Sequence, residues 1–304
     1  MELSGKVAVV TGAGRGLGRA YAQALAAAGA SVVVNDLDLE VAQEVVGEIT
    51  AAGGSAVAEG SAMGTTEGAD AVVAKAVTEF GRLDVMVTNA GVLRDRTLLK
   101  MADEDFDLVV QTHLRGTFTC GRAAARQFKE QGGNGRLILI GSPAGQRASF
   151  GQTGYTASKA GIIGLVRTWA AELERSGTTV NGIVPVALTR MAATIPGMAE
   201  LVELADQGKP IPAEVRQGGL GTADDVAGLV VFLASDAAAG ITGQAIGAGG
   251  DRIAIWSHPT EVAAELREGG WDADSLAEAF SGGVFSGALQ EWRPAAAPGA
   301  PAAK

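Results

Sequence analysis

With 304 residues, 47% of them apolar, the chain can form one large α/β domain or two small ones around an ample core. A formal net charge of -10 opposes binding to nucleic acid, whose phosphates it would repel, and two histidines with one cysteine are poor material for a zinc site. Cys120 alone cannot close an internal disulfide, the opening M-E-L-S-G-K is not a basic, apolar signal segment, and no apolar run is long enough to span a bilayer; the expectation is a soluble, cytoplasmic protein.

In chain order, Lys6 to Val10 is a short apolar run bounded by glycine, as expected of a strand buried on both faces. It leads into T-G-A-G-R-G-L-G, Thr11 to Gly18, and then an alanine-rich helix, Arg19 to Ala28. Strand, glycine loop and helix in that order make a cradle for a pyrophosphate. Gly12, Gly16 and Gly18, with Arg15 and Leu17 between them, bring the backbone close, and the helix N-terminus supplies the positive field. The second strand, Ser31 to Asn35, ends at Asp36, eighteen residues past Gly18. A carboxylate there accepts hydrogen bonds from ribose hydroxyls and repels a 2'-phosphate, which favours NAD. Arg15 pulls the other way, toward NADP, but Asp36 is better placed to decide.

Helix and strand patterns then alternate: Leu39 to Ala52 helix, Ala56 to Glu59 a weak strand, Ala69 to Phe80 helix, Val85 to Thr88 strand. That strand runs into Asn89-Ala90-Gly91, small residues that suit either close approach to a cofactor or a tight turn. Asp103 to Gln131 reads as one long helix or two short ones, Leu137 to Ile140 as a buried strand delivering Ser142, and Thr156 to Arg175 as helix. Thr179 to Val184 and Ala245 to Ala248 complete the strands. Tyr155 and Lys159, four apart, share a helix face, so the amine can sit beside the phenol. An ammonium there is expected to lower the phenol's value from near 10, with Ser142 holding a substrate oxygen. Tyr and Lys also occupy helix surfaces without any such role, so the pair acquires meaning only from its context. The alternation predicts a single doubly wound, Rossmann-type α/β domain: a parallel sheet of about seven strands, helices on both faces.

With the glycine loop, Asp36, N-A-G, Ser142 and Y-x-x-x-K all in order, residues 4 to 250 resemble the short-chain dehydrogenase/reductase family. G-x-x-x-G-x-G is that family's form of the loop, and Ser142 to Tyr155 (thirteen residues) and Tyr155 to Lys159 (four) match its spacing. The resemblance implies Tyr155 as the catalytic acid/base, Lys159 as the residue that holds the nicotinamide ribose and tunes Tyr155, and Ser142 as the group positioning the substrate oxygen. Asn89, Ala90 and Gly91 would line the cofactor channel, and Ile183, Pro185 and Thr189 would flank the nicotinamide. Three positions depart from the family pattern. His113 in H-L-R-G stands where many members carry an asparagine that anchors a proton-relay water; it can relay or be structural. Ser61 replaces an aspartate near the adenine. Pro185-Val186 replaces P-G after the sixth strand.

V-V-V-N-D-L, N-A-G-V-L-R-D-R and H-L-R-G-T-F are similar to the (3R)-hydroxyacyl-CoA dehydrogenase unit of peroxisomal multifunctional enzyme type 2. That implies an NAD-dependent oxidation of a 3-hydroxyacyl-CoA in fatty-acid or steroid side-chain breakdown. The alternatives are a 3-oxoacyl-carrier-protein reductase using NADPH and an NAD-binding sensor or scaffold. Family habit implies a homotetramer or homodimer built through the helices carrying His113 and Tyr155. Residues 1–250 are expected to form the dehydrogenase domain, with the loop Leu188 to Pro212 as a mobile substrate lid. Residues 251–293 form a C-terminal extension bearing Trp256, Trp271, Phe280, Phe285 and Trp292, which serves as a lid, a subunit contact or extra core. Residues 294–304 are expected to be a flexible tail.

Overall fold

A computed structural model describes residues 1–189, 192–194 and 197–289. Trp292 and the expected tail 294–304 lie outside these, as do four positions of the expected lid loop: 190, 191, 195 and 196. The strands are β1 (Val7–Thr11), β2 (Ser31–Asn35), β3 (Ser55–Glu59), β4 (Val85–Thr88), β5 (Arg136–Ile140), β6 (Thr179–Pro185), β7 (Ala245–Gly249) and β8 (Arg252–Trp256). They form one sheet in the order β3-β2-β1-β4-β5-β6-β7-β8. The first seven are parallel and β8 runs antiparallel to β7. The strand count is thus eight, one more than expected. Residues 252–256, read from sequence as the start of an extension, fold back on β7 after a turn at Gly250-Asp251.

Buried strands explain why the sequence reads as continuous apolar runs: each strand feeds both faces of the sheet. Val10, Val87 and Ile140 point into one core with Tyr21 and Leu25 of α1 (Gly16–Ala27), Val45 of α2 (Leu39–Ala51) and Val230 of α9 (Asp224–Ala234). Val9, Met86 and Leu139 point into the other. There they meet Val72 of α3 (Thr66–Phe80), Phe128 of α5 (Gly116–Glu130) and Ile162 and Val166 of α6 (Thr153–Leu173). The segment that reads as one long helix or two short ones is α4 (Asp103–Val110), a π-helical turn Gln111–Arg115, and α5 in unbroken succession. The short α7 (Ala199–Asp206) and α8 (Ala213–Gln217) follow β6. Arg216 of α8 bridges Asp225 of α9 and Asp251 of the β7–β8 turn.

From Ser257 the chain forms a small unit of its own. Within it α10 (Ala273–Ser281) is started by a reciprocal cap between Asp272 and Ser275. Phe285 packs against Trp271 (6.0 Å between ring centroids) and Phe280 (5.0 Å), so these aromatics make a local core. Trp256 belongs instead to β8 of the main unit.

Strand β5 delivers the serine, and Leu139, next to its last residue, is fully buried. Leu139→Ala should therefore cost about 2–5 kcal/mol of stability, read as a lowered denaturant midpoint with an unchanged slope.

Candidate active site

The sheet order reverses between β1 and β4, and the crevice above their C-terminal ends is where doubly wound folds take ligands. Both strands end there in polar loops that are tied together. The Asn89 carboxamide donates to the carbonyls of Thr11 and Gly12, both at 3.0 Å, and the Thr11 hydroxyl accepts from the backbone N–H of Asn89 and Ala90. Asn89 is thus spent on bracing the glycine loop. A Cβ on Gly18 would strike the Gly12 carbonyl, which is why α1 can start so close under the loop.

The groups fit a dinucleotide. Helix α1 opens without a side-chain cap and without an acidic residue in its first turn, leaving its N–H groups available to a pyrophosphate. Asp36, just past β2, accepts from the Gly14 N–H (3.0 Å). Arg15, read from sequence as a possible 2'-phosphate ligand, is drawn to Asp38 at 2.9 Å. Ser61 turns inward: its hydroxyl and N–H both donate to Glu59, whose other oxygen accepts from Asn35. Leu17 is partly buried against the core, and Thr189 lies 3.7 Å from where a Gly16 Cβ would stand, so the exit of β6 meets the glycine loop. Pro185 closes β6 beside Ala248, and the Ile183 carbonyl accepts from Gly141 N–H.

At the end of β5, Ser142 is extended and its Oγ accepts from the Ala144 N–H. Tyr155 sits in the first turn of α6, inside the helix and not just before it as the pattern implied, because α6 begins at Thr153. The Ser142 hydroxyl is close enough to the phenol to bear on its ionisation. One turn on, Lys159 is 3% exposed, its Nζ donating to the Ile140 carbonyl (2.7 Å) and lying 5.6 Å from the Tyr155 ring centroid. The spacing argument therefore holds for position.

For charge it is corrected. Burial pushes the phenol above its usual value; the nearby Ser142 hydroxyl pulls it back and the Asp95 carboxylate adds to the rise. Lys159 does not offset this, because it is under the ring and is itself desolvated, which lowers its ammonium to about 7.

His113 lies in the π-turn, edge-on to Tyr155 with centroids 5.1 Å apart. Its Nε2 meets the Val92 carbonyl at 2.8 Å and the Val92 N–H at 3.1 Å, and its buried Nδ1 has no hydrogen-bond partner among the described residues. Burial first, then the charge of Lys159, depresses it to about 3. Gly91, assigned from sequence to the cofactor channel, also makes room here: a Cβ would occupy the space of the His113 ring.

Asp95 and Gln152 escaped the sequence reading. The Gln152 carboxamide donates to Asp95 (2.9 Å) and accepts from Ser149 (2.7 Å), locking the loop after β4 onto the start of α6. Nothing local marks a contact spanning 57 residues.

Comparison with known proteins agrees with this geometry. A family model described as Enoyl-(Acyl carrier protein) reductase matches residues 12–250. The chain is 42% identical over 270 residues to Hydroxyacyl-CoA dehydrogenase ChsB1 of Mycobacterium tuberculosis, covering 85% of this chain and 81% of that one. It is 46% identical over 204 residues to Peroxisomal multifunctional enzyme type 2 of Drosophila melanogaster, covering 64% of this chain but only 33% of that protein. It thus spans about a third of that relative's length. The crystal structure of a short chain dehydrogenase from Mycobacterium avium superposes with a TM-score of 0.83 at 36% identity, covering 97% of this chain and 99% of that one. The chain belongs to the short-chain dehydrogenase/reductase family. It is an oxidoreductase acting on CH–OH groups, in a family that uses NAD(P).

A histidine held at about 3 is neutral through the range where free histidine titrates. Between about pH 6.5 and 3 the unfolded chain takes up a proton that the native one refuses, so acidification through that window favours unfolding. In NMR titration one of the two histidine ring signals should stay flat from about pH 5 to 8, and His113→Asn should remove it. Two signals titrating in that range would overturn the neutral, buried assignment.

Proposed function

We propose that the chain is an NAD-preferring dehydrogenase of 3-hydroxyacyl thioesters, coenzyme A esters foremost, in fatty-acid or steroid side-chain catabolism. The observation that carries the reaction is the convergence on one spot of the half-buried phenol of Tyr155, the Ser142 hydroxyl and the Lys159 amine. In the reductive direction the Tyr155 phenol gives its proton to the carbonyl oxygen that Ser142 holds; in the oxidative direction Tyr155 first loses that proton to solvent and, as phenolate, takes the hydroxyl proton. When bound, a nicotinamide cofactor supplies the hydride acceptor. Lys159, anchored on Ile140, sits under the ring, where its ammonium form supports the phenolate that accepts the proton, and His113, neutral, walls the pocket without adding a second charge.

Two observations support NAD. Asp36 is fixed by the Gly14 N–H with its charge facing the ribose end of the cradle, and Asp38 engages the one loop arginine that could have met a 2'-phosphate. The thioester reading is supported by the likeness to the hydroxyacyl-CoA dehydrogenase ChsB1, which extends over most of both chains. A homotetramer or homodimer through α5 and α6 is supported by the half-exposed Phe118 beside Trp169 (6.5 Å between centroids).

A panel of 3-hydroxyacyl thioesters, simple alcohols and sugars, assayed with NAD and NADP in parallel, tests this. Coenzyme A thioesters should be oxidised with NAD, and Asp36→Ala should erode the preference over NADP by about tenfold or more. Turnover of polyols alone, or of carrier-protein thioesters with NADPH, contradicts the reading. Tyr155→Phe should lower kcat by about 10²–10⁴, with cofactor affinity retained in fluorescence titration.

A further inference from the structure

Beside the catalytic helix lies a surface that the chemistry above does not use. Arg96 is held alongside the start of α6, its N–H donating to the Gly151 carbonyl (2.8 Å) in a parallel bridge to Gln152. Asp95, next to it, is turned away to Gln152, so its charge is directed at the pocket and not at the arginine. Among the described residues Arg96 and Lys100 form no ion pair, while Arg94 pairs with Asp105 at 3.6 Å and donates to the Leu93 carbonyl at 2.8 Å. Interleaved with these cations are Leu98, Leu99 and Phe150, 74%, 95% and 90% exposed. Large apolar side chains left this open on a chain of net charge -10, beside two cations, Arg96 and Lys100, that have no carboxylate partner among the described residues, make a place for a ligand that is both anionic and apolar.

Resting on the thioester reading, we propose that Arg96 and Lys100, with Leu99 and Phe150 beside them, seat the 3'-phosphoadenosine end of coenzyme A. The guanidinium and the ammonium meet the phosphates and the apolar side chains lie against the adenine and the pantetheine arm. The position suits the connection, because Arg96 is paired to Gln152, three residues before Tyr155, and its exposed guanidinium spends one N–H on the Asp95 carbonyl (2.8 Å), leaving the others for phosphate oxygens. A folded acidic carrier protein fits less well. It would have to cover about 800 Å², and the next element, α4, opens with Asp103, Glu104 and Asp105, which would repel it. A small nucleotide needs only the local cations.

The test is calorimetric binding of coenzyme A, 3'-dephospho-coenzyme A and an acyl carrier protein with NAD saturating, so that the adenine site at Asp36 is already filled. The unmodified chain should hold coenzyme A about tenfold more tightly than the dephospho form. That ratio should fall toward one in Arg96→Ala, fall partway in Lys100→Ala, and shrink with added salt. A ratio of one in the unmodified chain, or a ratio that survives Arg96→Ala, overturns the site. So does carrier protein binding more tightly than coenzyme A and weakening in Arg96→Ala, which would give the surface to a protein partner. If the ratio behaves as expected but no 3-hydroxyacyl thioester is oxidised, the site stands and the catalytic reading falls. If thioesters are oxidised but the ratio is one, the catalytic reading stands and the site falls.

Discussion

The burial of one amine constrains everything near the catalytic centre. Lys159 has been taken out of water and given a single carbonyl, that of Ile140, as its hydrogen-bond partner. Desolvating an ammonium is costly, and the depression of its value to about 7 is the measure of that strain. The cost falls where β5 ends and α6 begins, and the same junction supplies Ser142 and Tyr155. A group so short of partners responds to any new oxygen in the crevice, which makes the amine a receptive element of the site.

Much of the architecture was legible because its cause is local. Val7 to Thr11, Ser31 to Asn35 and Val85 to Thr88 are buried on both faces, and a strand in that environment must be apolar at nearly every position. The glycine loop and Asp36 are legible for a similar reason, since backbone geometry and charge at a strand end depend on few neighbours. The i, i+4 pair of Tyr155 and Lys159 follows from helix geometry alone. The strand Arg252–Trp256 was assigned to an appendage because its partner, β7, is recognisable only once the turn at Gly250 is known to reverse the chain.

What could not be read depends on three-dimensional surroundings. The direction of the Tyr155 shift is an example. Spacing places the amine but says nothing about how dry the pocket is or how Nζ is aimed, and those decide the sign. The Asp95–Gln152 bond and the Thr11–Asn89 staple join segments far apart in sequence. His113 shows the same limit. Helical periodicity of 3.6 cannot register a π-turn, yet that extra residue lets the helix aim an imidazole at Tyr155 while Gly91 clears the space.

The staple between Thr11 and Asn89 also bears on how the molecule comes into being. β1 is paired with β2 early in the chain, but its other neighbour, β4, is synthesised after α2, β3 and α3. The phosphate cradle is complete only when that later strand has docked and its asparagine has reached back across 77 residues to Gly12. An amino-terminal intermediate therefore carries the loop without its brace, and the dinucleotide rewards only the fully wound sheet, pulling the folding equilibrium toward it by mass action.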